Sequence, residues 1–184
     1  MQIVIITVPH TGTNYAKSLF RRMGWEELGL NESPRKDGDC YYSGHMLKAT
    51  QIEPALTLAK TRPLVIPLRH PYLVEESWRR RGKNIGEMVA AFHTLLSKFH
   101  PLNPHYIPVD LPQARSEAIK RISRELGRPI LDSSTVVNST ANTHSLQPED
   151  TTPSRQVVEL CETMQPILEN FYYAPKTIGS TGNP

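Results

Sequence analysis

The segment Val8-Pro9-His10-Thr11-Gly12-Thr13-Asn14-Tyr15 has the residue types of a turn between a strand and a helix. Such a turn binds anions, because the first backbone N–H groups of a helix lack intrahelical partners and the helix dipole places positive potential there. A second feature lies downstream, where Arg69 and His70 follow the apolar run Leu64-Val65-Ile66-Pro67-Leu68 and so stand at the carboxyl end of a strand. Arg79-Arg80-Arg81 forms a local basic cluster able to meet phosphate. The anion-binding turn does not contain the GxxxxGK[ST] pattern, which disfavours ordinary ATP or GTP chemistry. The histidines include His45, His70, His93 and His100, and none stands at a metal-binding spacing such as HExxH. No metal is expected.

The elements that must position these groups are legible from periodicity. Gln2 to Val8 is rich in β-branched residues and reads as a buried strand. From Asn14 the spacing of Tyr15, Leu19 and Met23 is helical and ends near Gly24. Trp25 to Asp39, with Gly29, Pro34 and Gly38, reads as loop, followed by a short strand over Cys40 to Ser43 with His45 just after it. A helix is expected over Pro54 to Lys60, and Pro67 marks the Leu64 to Leu68 strand as ending or lying at a sheet edge. Ile85, Met88, Val89, Phe92, Leu95, Leu96 and Phe99 give one helical face, the strongest periodicity in the chain. Tyr106 to Val109 reads as a strand, Asp110-Leu111-Pro112 as a turn, and Ala118, Ile119, Ile122 and Leu126 as a helix stopped by Gly127. Asp132 to Asp150 looks like a surface loop, and a last amphipathic helix from Val157 to Phe171 is expected to bend or break at Pro166. Strands alternating with helices imply a mainly parallel α/β sheet.

Composition bounds the rest. The 184 residues hold 21 Lys+Arg against 18 Asp+Glu, a net charge of +3, which fits one domain over residues 1–173 with a flexible tail at 174–184. That charge is too small and too spread to indicate a nucleic-acid partner. No apolar stretch reaches the roughly 18 residues of a membrane span, and two cysteines make no disulfide framework. A cytoplasmic protein with reduced thiols, no membrane partner and no nucleic-acid partner is the expectation.

The string Pro9-His10-Thr11-Gly12-Thr13-Asn14-Tyr15 resembles the 5′-phosphosulfate loop of sulfotransferases, whose usual form is Pro-Lys-Ser/Thr-Gly-Thr-Thr-Trp. The order of further motifs agrees. Arg69 closing a strand and Ser77 eight residues later resemble the family's 3′-phosphate motif. Val109-Asp110-Leu111 with the helix ending Leu126-Gly127 resembles its Tyr-Glu-Asp-Leu strand and following helix, and Asn138 to Leu146 more loosely resembles the carboxyl-terminal layout of bacterial members. The resemblance is to a short bacterial- or phage-like member and covers nearly the whole chain.

What the resemblance implies is a three-layer, P-loop-like α/β fold with a mainly parallel central sheet. It also implies transfer of a sulfuryl group from 3′-phosphoadenosine 5′-phosphosulfate to a small-molecule or carbohydrate hydroxyl. Pro9, His10, Thr11, Gly12, Thr13, Asn14, Tyr15, Arg69 and Ser77 are the implied donor-binding residues, with the fork of Arg69 and the hydroxyl of Ser77 on the 3′-phosphate. His45 is the implied general base, since a neutral imidazole accepts a hydroxyl proton near neutrality, with His70 next in line.

In two places the chain departs from the family. Protonated His10 must stand in for the loop Lys that faces the leaving phosphate, which would give activity a bell-shaped pH dependence set by two imidazoles. The family's Arg-Lys-Gly clamp is not visible, leaving Arg79, Arg80, Arg81 or Arg155 to replace it. Alternatives are a nucleotide-binding protein of the same fold without turnover, and a divergent P-loop phosphotransferase.

Overall fold

In the computed structural model the β-branched run at the amino terminus forms β1 (Gln2–Thr7), and alternation along it sets the architecture. Val4 and Ile6 enter one apolar cluster while Ile3 and Ile5 enter another, and all four are completely buried. A strand apolar on both faces belongs in the middle of a sheet covered on both sides. The structure describes residues 1–33, 38–130 and 147–172.

The chain continues through α1 (Thr13–Arg21), β2 (Glu26–Gly29), β3 (Cys40–His45), α2 (Ala49–Ala59), β4 (Leu64–Leu68), α3 (Pro71–Arg79), α4 (Ile85–Thr94), β5 (His105–Pro108), α5 (Pro112–Leu126) and α6 (Arg155–Leu168). All strand pairs are parallel, in the order β2-β3-β1-β4-β5. Tyr15, Ala16, Leu19 and Phe20 of α1 and Ile119, Ile122 and Leu126 of α5 cover the Ile3/Ile5 face. Helices α2, α3, α4 and α6 cover the Val4/Ile6 face, through Ala55, Val74, Trp78, Phe92, Leu160 and Met164 among others. The result is a three-layer α/β architecture. Because α1 leaves β1 toward one face while α2 and α3 leave β3 and β4 toward the other, the connections diverge around the carboxyl end of β1. That divergence is where open parallel sheets place their ligand crevice.

The structure differs from the sequence expectations at several boundaries. The segment expected to be loop contains β2, a polar edge strand with only Leu28 buried. It pairs with β3 through its backbone, and its Glu27 carboxylate accepts from Lys17 (2.5 Å), Ser43 (2.8 Å) and Tyr41 (3.0 Å) and pairs with Arg21. Those cross-element bonds have no signature in local hydropathy. Helix α2 starts at Ala49 and takes Pro54 into its interior, and α6 runs through Pro166, an exposed position in its last turn where the lost bond frees a carbonyl to water. Pro67 lies in a central strand and not at an edge. The ladder from β4 to β1 covers only Leu64 and Val65, so the missing N–H falls beyond it.

His45 is the last residue of β3 and not a loop residue. The strong apolar face forms α4 and a π-helical turn, Leu95–Phe99, that prolongs it. Gly127 caps α5 in the left-handed region, with φ 61°. Most of the Asp132 to Asp150 segment, including Asn138 to Leu146, and the tail at 174–184 lie outside the described residues. Among the described residues no helix is long and apolar enough to cross a membrane.

Candidate functional site: an anion cradle and a neutral imidazole around β1

The turn after β1 has a backbone that few residues tolerate. Gly12 has φ 101°, and a Cβ there would lie 2.7 and 2.9 Å from the two methyl carbons of Val109, so both torsion and space require glycine. His10, with φ 69°, is one of two non-glycine residues in the left-handed region among the described residues. Thr11 closes the turn, its hydroxyl and N–H both donating to the Val8 carbonyl (2.6 and 3.3 Å). This hydroxyl is buried, so the site is served by the turn's shape and not by the Thr11 side chain. Helix α1 then begins with Gly12 at its cap and no capping side chain, which leaves the Thr13 and Asn14 N–H groups directed at the turn's mouth. Tyr15, one of the implied donor-binding residues, is in the core, with the Arg115 guanidinium 5.1 Å above its ring. The contribution of Tyr15 is packing.

One wall of the turn is cationic. Trp78 of α3, 1% exposed, donates from its indole to the Pro9 carbonyl (3.3 Å), meets the His10 ring edge-on at 5.8 Å and carries Lys83 over its own ring at 5.4 Å. Arg81 lies 2.7 Å from His10 Nδ1. Arg79 is taken by Glu75 and the Thr152 carbonyl, Arg80 by Glu76 and Arg155 by Glu159, so of the four clamp candidates only Arg81 reaches the turn. Arg69 extends from the end of β4, with Asp110 at the end of β5 as its main electrostatic neighbour. That carboxyl accepts from the Tyr172 hydroxyl and the His70 N–H, and among the described residues Arg69 makes no hydrogen bond or ion pair. Ser77 is half-buried on α3 beside Trp78.

This wall corrects the expectation for His10. Burial, then the charges of Arg81, Lys83 and Arg69, push its pKa down to about 4. Its imidazole is therefore neutral at pH 7, and the ring nitrogen facing Arg81 accepts from that guanidinium. The positive charge at the turn belongs to arginine and lysine and not to histidine, and the bell of two imidazoles is not expected.

The other wall contains His45. Its N–H donates to the Gln51 side-chain oxygen (2.8 Å), which holds the strand end against the start of α2. Its Nδ1 is 2.8 Å from the Thr7 hydroxyl, and the Thr13 hydroxyl donates to Thr7 at 3.0 Å. Burial, then Lys17 and Lys48, hold the ring below the ordinary imidazole pKa, so it is neutral at pH 7. His70 does not qualify as a second base. It is completely buried, caps α3 by accepting from the Tyr72 N–H (3.3 Å), and is pushed down to about 4 by burial alone.

Immediately after His45, Met46 and Leu47 line an open cleft of about 380 Å³ with Glu87, Ala90, Ala91 and Thr94 of α4. Trp25, Tyr41, Tyr42 and Trp78 are buried in the core and do not line this cleft. Among the described residues no group of three His, Cys, Asp or Glu side chains is placed to hold a metal.

The structure thus brings His10, Thr11, Gly12, Thr13, Arg69 and His45 to the carboxyl ends of three adjacent strands or the turn that follows β1. It adds Thr7, Trp78 and Lys83, which spacing alone did not single out for this site. Thr7 had a signal: it is the one hydroxyl in the apolar run that becomes β1. Comparison with protein-family models gives no match, and comparison with curated proteins gives none.

Proposed function

We propose that this protein is a sulfotransferase with a P-loop-like fold, moving a sulfuryl group from 3′-phosphoadenosine 5′-phosphosulfate to a hydroxyl acceptor. The observation that supports this reading most is the asymmetry around β1. On one side an uncapped helix start meets Arg69, Arg81 and Lys83, and on the other a neutral His45 stands beside an open cleft. Backbone donors beside guanidinium groups that no carboxylate pairs fit a ligand with several phosphate or sulfate charges. The donor supplies an electrophilic sulfur whose departure leaves charge on a phosphate oxygen.

The chain's residues then have separate tasks. The N–H groups of Thr13 and Asn14 hold the 5′ anion, and Arg69 with Ser77 meets the 3′-phosphate. His45 takes the acceptor's hydroxyl proton, the acceptor oxygen bonds to sulfur, and the bond from sulfur to the phosphate oxygen breaks. Arg81 and Lys83 face the charge left on that oxygen, in place of a loop lysine. The cleft beside Met46 and Leu47 receives the acceptor.

Calorimetry with adenosine 3′,5′-bisphosphate against ATP-Mg²⁺ tests the class. Binding of the bisphosphate in preference to ATP-Mg²⁺ is expected, and the reverse preference indicates a phosphotransferase. A second reading, nucleotide binding without turnover, is favoured by the neutral His10 at the loop's lysine position. Tight bisphosphate binding with no sulfuryl transfer across a broad acceptor panel would establish it.

A further inference from the structure

Thr7 sits at the meeting point of the two walls. It is 1% exposed, and its hydroxyl oxygen lies 2.8 Å from His45 Nδ1, 3.0 Å from the Thr13 hydroxyl and 3.4 Å from the Gly44 carbonyl. A hydroxyl has one proton to give and two lone pairs to receive. The Gly44 carbonyl can only accept, and the Thr13 hydroxyl donates. If the Thr7 proton goes to Gly44, the oxygen receives one bond from Thr13 and one from His45 Nδ1–H, and all three contacts are satisfied. If the proton goes instead to His45 Nδ1, the Gly44 contact is lost. In a buried site the arrangement that fills every contact is preferred, because an unmade bond costs the desolvation of its group.

We infer that Thr7 is a positioning residue that keeps His45 in the Nδ1–H tautomer, so that Nε2 carries the free lone pair, and that the Thr13 hydroxyl ties this state to the turn after β1. The inference rests on the role given to His45 above but concerns the resting ring, whose state can be read without any turnover. A base needs its free nitrogen toward the substrate, and the proton on the other nitrogen is set by that nitrogen's partner. Here the partner is a neutral hydroxyl, at the end of β1 and directly across the ladder from His45. The Thr13 hydroxyl belongs to the first residue of α1, whose N–H is among those offered to the anion. Filling one lone pair of Thr7 from Thr13 and the other from His45 leaves the Thr7 proton for the Gly44 carbonyl, a contact that the opposite tautomer gives up. The link runs through two hydroxyls and needs no charge.

The experiment is a long-range ¹⁵N correlation spectrum of the imidazoles of the full chain at pH 7.5, with the His45 signals assigned by their disappearance in His45→Gln. In the wild type His45 is expected to show a protonated Nδ1 and an unprotonated Nε2. In Thr7→Val, Nδ1 faces a methyl group, so a proton there would be a buried unpaired donor and the ring is expected to switch to Nε2–H. Thr7→Ser restores the original pattern. Retained bisphosphate affinity and a retained circular dichroism spectrum in Thr7→Val show that the site still folds, and Thr13→Ala, exposed enough to be tolerated, is the fallback and should give a mixed tautomer. With an acceptor in hand, Thr7→Val should lower kcat about 10- to 100-fold with little change in KM. A wild-type His45 already protonated at Nε2, or a tautomer unmoved by Thr7→Val and by Thr13→Ala, overturns the inference. Absence of sulfuryl transfer with the expected tautomers overturns the function reading and leaves this one standing.

Discussion

His10 and His45 flank the same turn and both rings are neutral at pH 7, yet their surroundings differ in kind. His10 is on a half-buried bend, in a left-handed backbone conformation, where Arg81, Lys83 and Arg69 bear on it. His45 ends a central strand, bonded through Thr7 to the helix that begins the turn. The first ring is neutral because it is partly buried and because Arg81, Lys83 and Arg69 add their charge to that effect. The second is neutral chiefly because it is buried, with lysines adding to the effect. A histidine beside a guanidinium serves as an acceptor that steadies it, whereas one held by a hydroxyl chain at a strand end is the group that the proposed function assigns to receive a proton. Residue type alone does not distinguish these roles, because both positions read as a histidine near a glycine.

Removing the second histidine is expected to have the largest effect. His45→Ala should lower sulfuryl transfer by about 10²- to 10⁴-fold, the usual contribution of a positioned general base, while leaving bisphosphate affinity nearly intact. His10→Gln, which keeps an acceptor for Arg81, should lower transfer far less. If the two substitutions cost the same, the contrast between the walls is wrong. The pH profile sharpens the same point. Activity should fall as pH drops below the depressed pKa of His45 and should stay level from neutrality toward alkaline pH, because the cations are Arg69, Arg81 and Lys83. An alkaline limb with an imidazole pKa would return the charge to His10.

Next in size are the arginines. Arg69→Ala should weaken adenosine 3′,5′-bisphosphate by roughly 1.5–3 kcal/mol while scarcely changing affinity for 5′-AMP, as expected when one charged hydrogen bond to the 3′ group is lost. Arg81→Ala should instead lower turnover more than it lowers bisphosphate affinity, since its charge is directed at the turn. Arg81→Lys should recover part of the loss, a point charge replacing a fork. Isothermal calorimetry and single-turnover rates separate the two. Equal loss of bisphosphate and 5′-AMP binding in Arg69→Ala would show that it does not read the 3′ position.

The sheet and its two layers were legible in the sequence because they follow from periodicity. The β-branched run of β1, the apolar block of β4 and the fifteen-residue face from Ile85 to Phe99 each declare their burial locally. The turn after β1 was legible as well, since Gly12 and the switch from strand to helical spacing are local facts. What escaped notice depends on contacts across the fold. β2 is held by an edge ladder and by a carboxylate whose partners come from α1 and β3. The lowered pKa of His10 comes from burial and from Arg81, seventy-one residues away, and the value of Thr7 appears only when the register places it beside His45. Pro54, Pro67 and Pro166 read as breakers, and tertiary packing or a fortunate position in the ladder overrode each of them.

The smallest effect concerns stability, and it too separates the two rings' environments. In the unfolded chain an imidazole takes up a proton near pH 6.5, but in the folded protein His10 resists protonation down to about 4. Between those values the unfolded state binds more protons, so stability is fully present above about pH 6.5, declines as pH falls through the window, and stops declining below about 4. His70, completely buried and lowered to the same value, acts in the same direction, as does His45, whose pKa is also lowered. Urea unfolding of the wild type at closely spaced pH values should therefore show a free energy that rises from pH 4 to 6.5 with a slope of more than one proton. His10→Gln should remove at most about one proton from that slope, and less than the full amount because the bend is partly open to solvent that screens Arg81 and Lys83. The His70 contribution should survive in that variant unchanged, because it comes from burial on the far side of α3's cap and owes nothing to the cationic wall. A slope unaltered by His10→Gln would mean that the cations around the turn relax away as the ring protonates, and the cationic wall would then be a property of the arginines' reach and not of a fixed site.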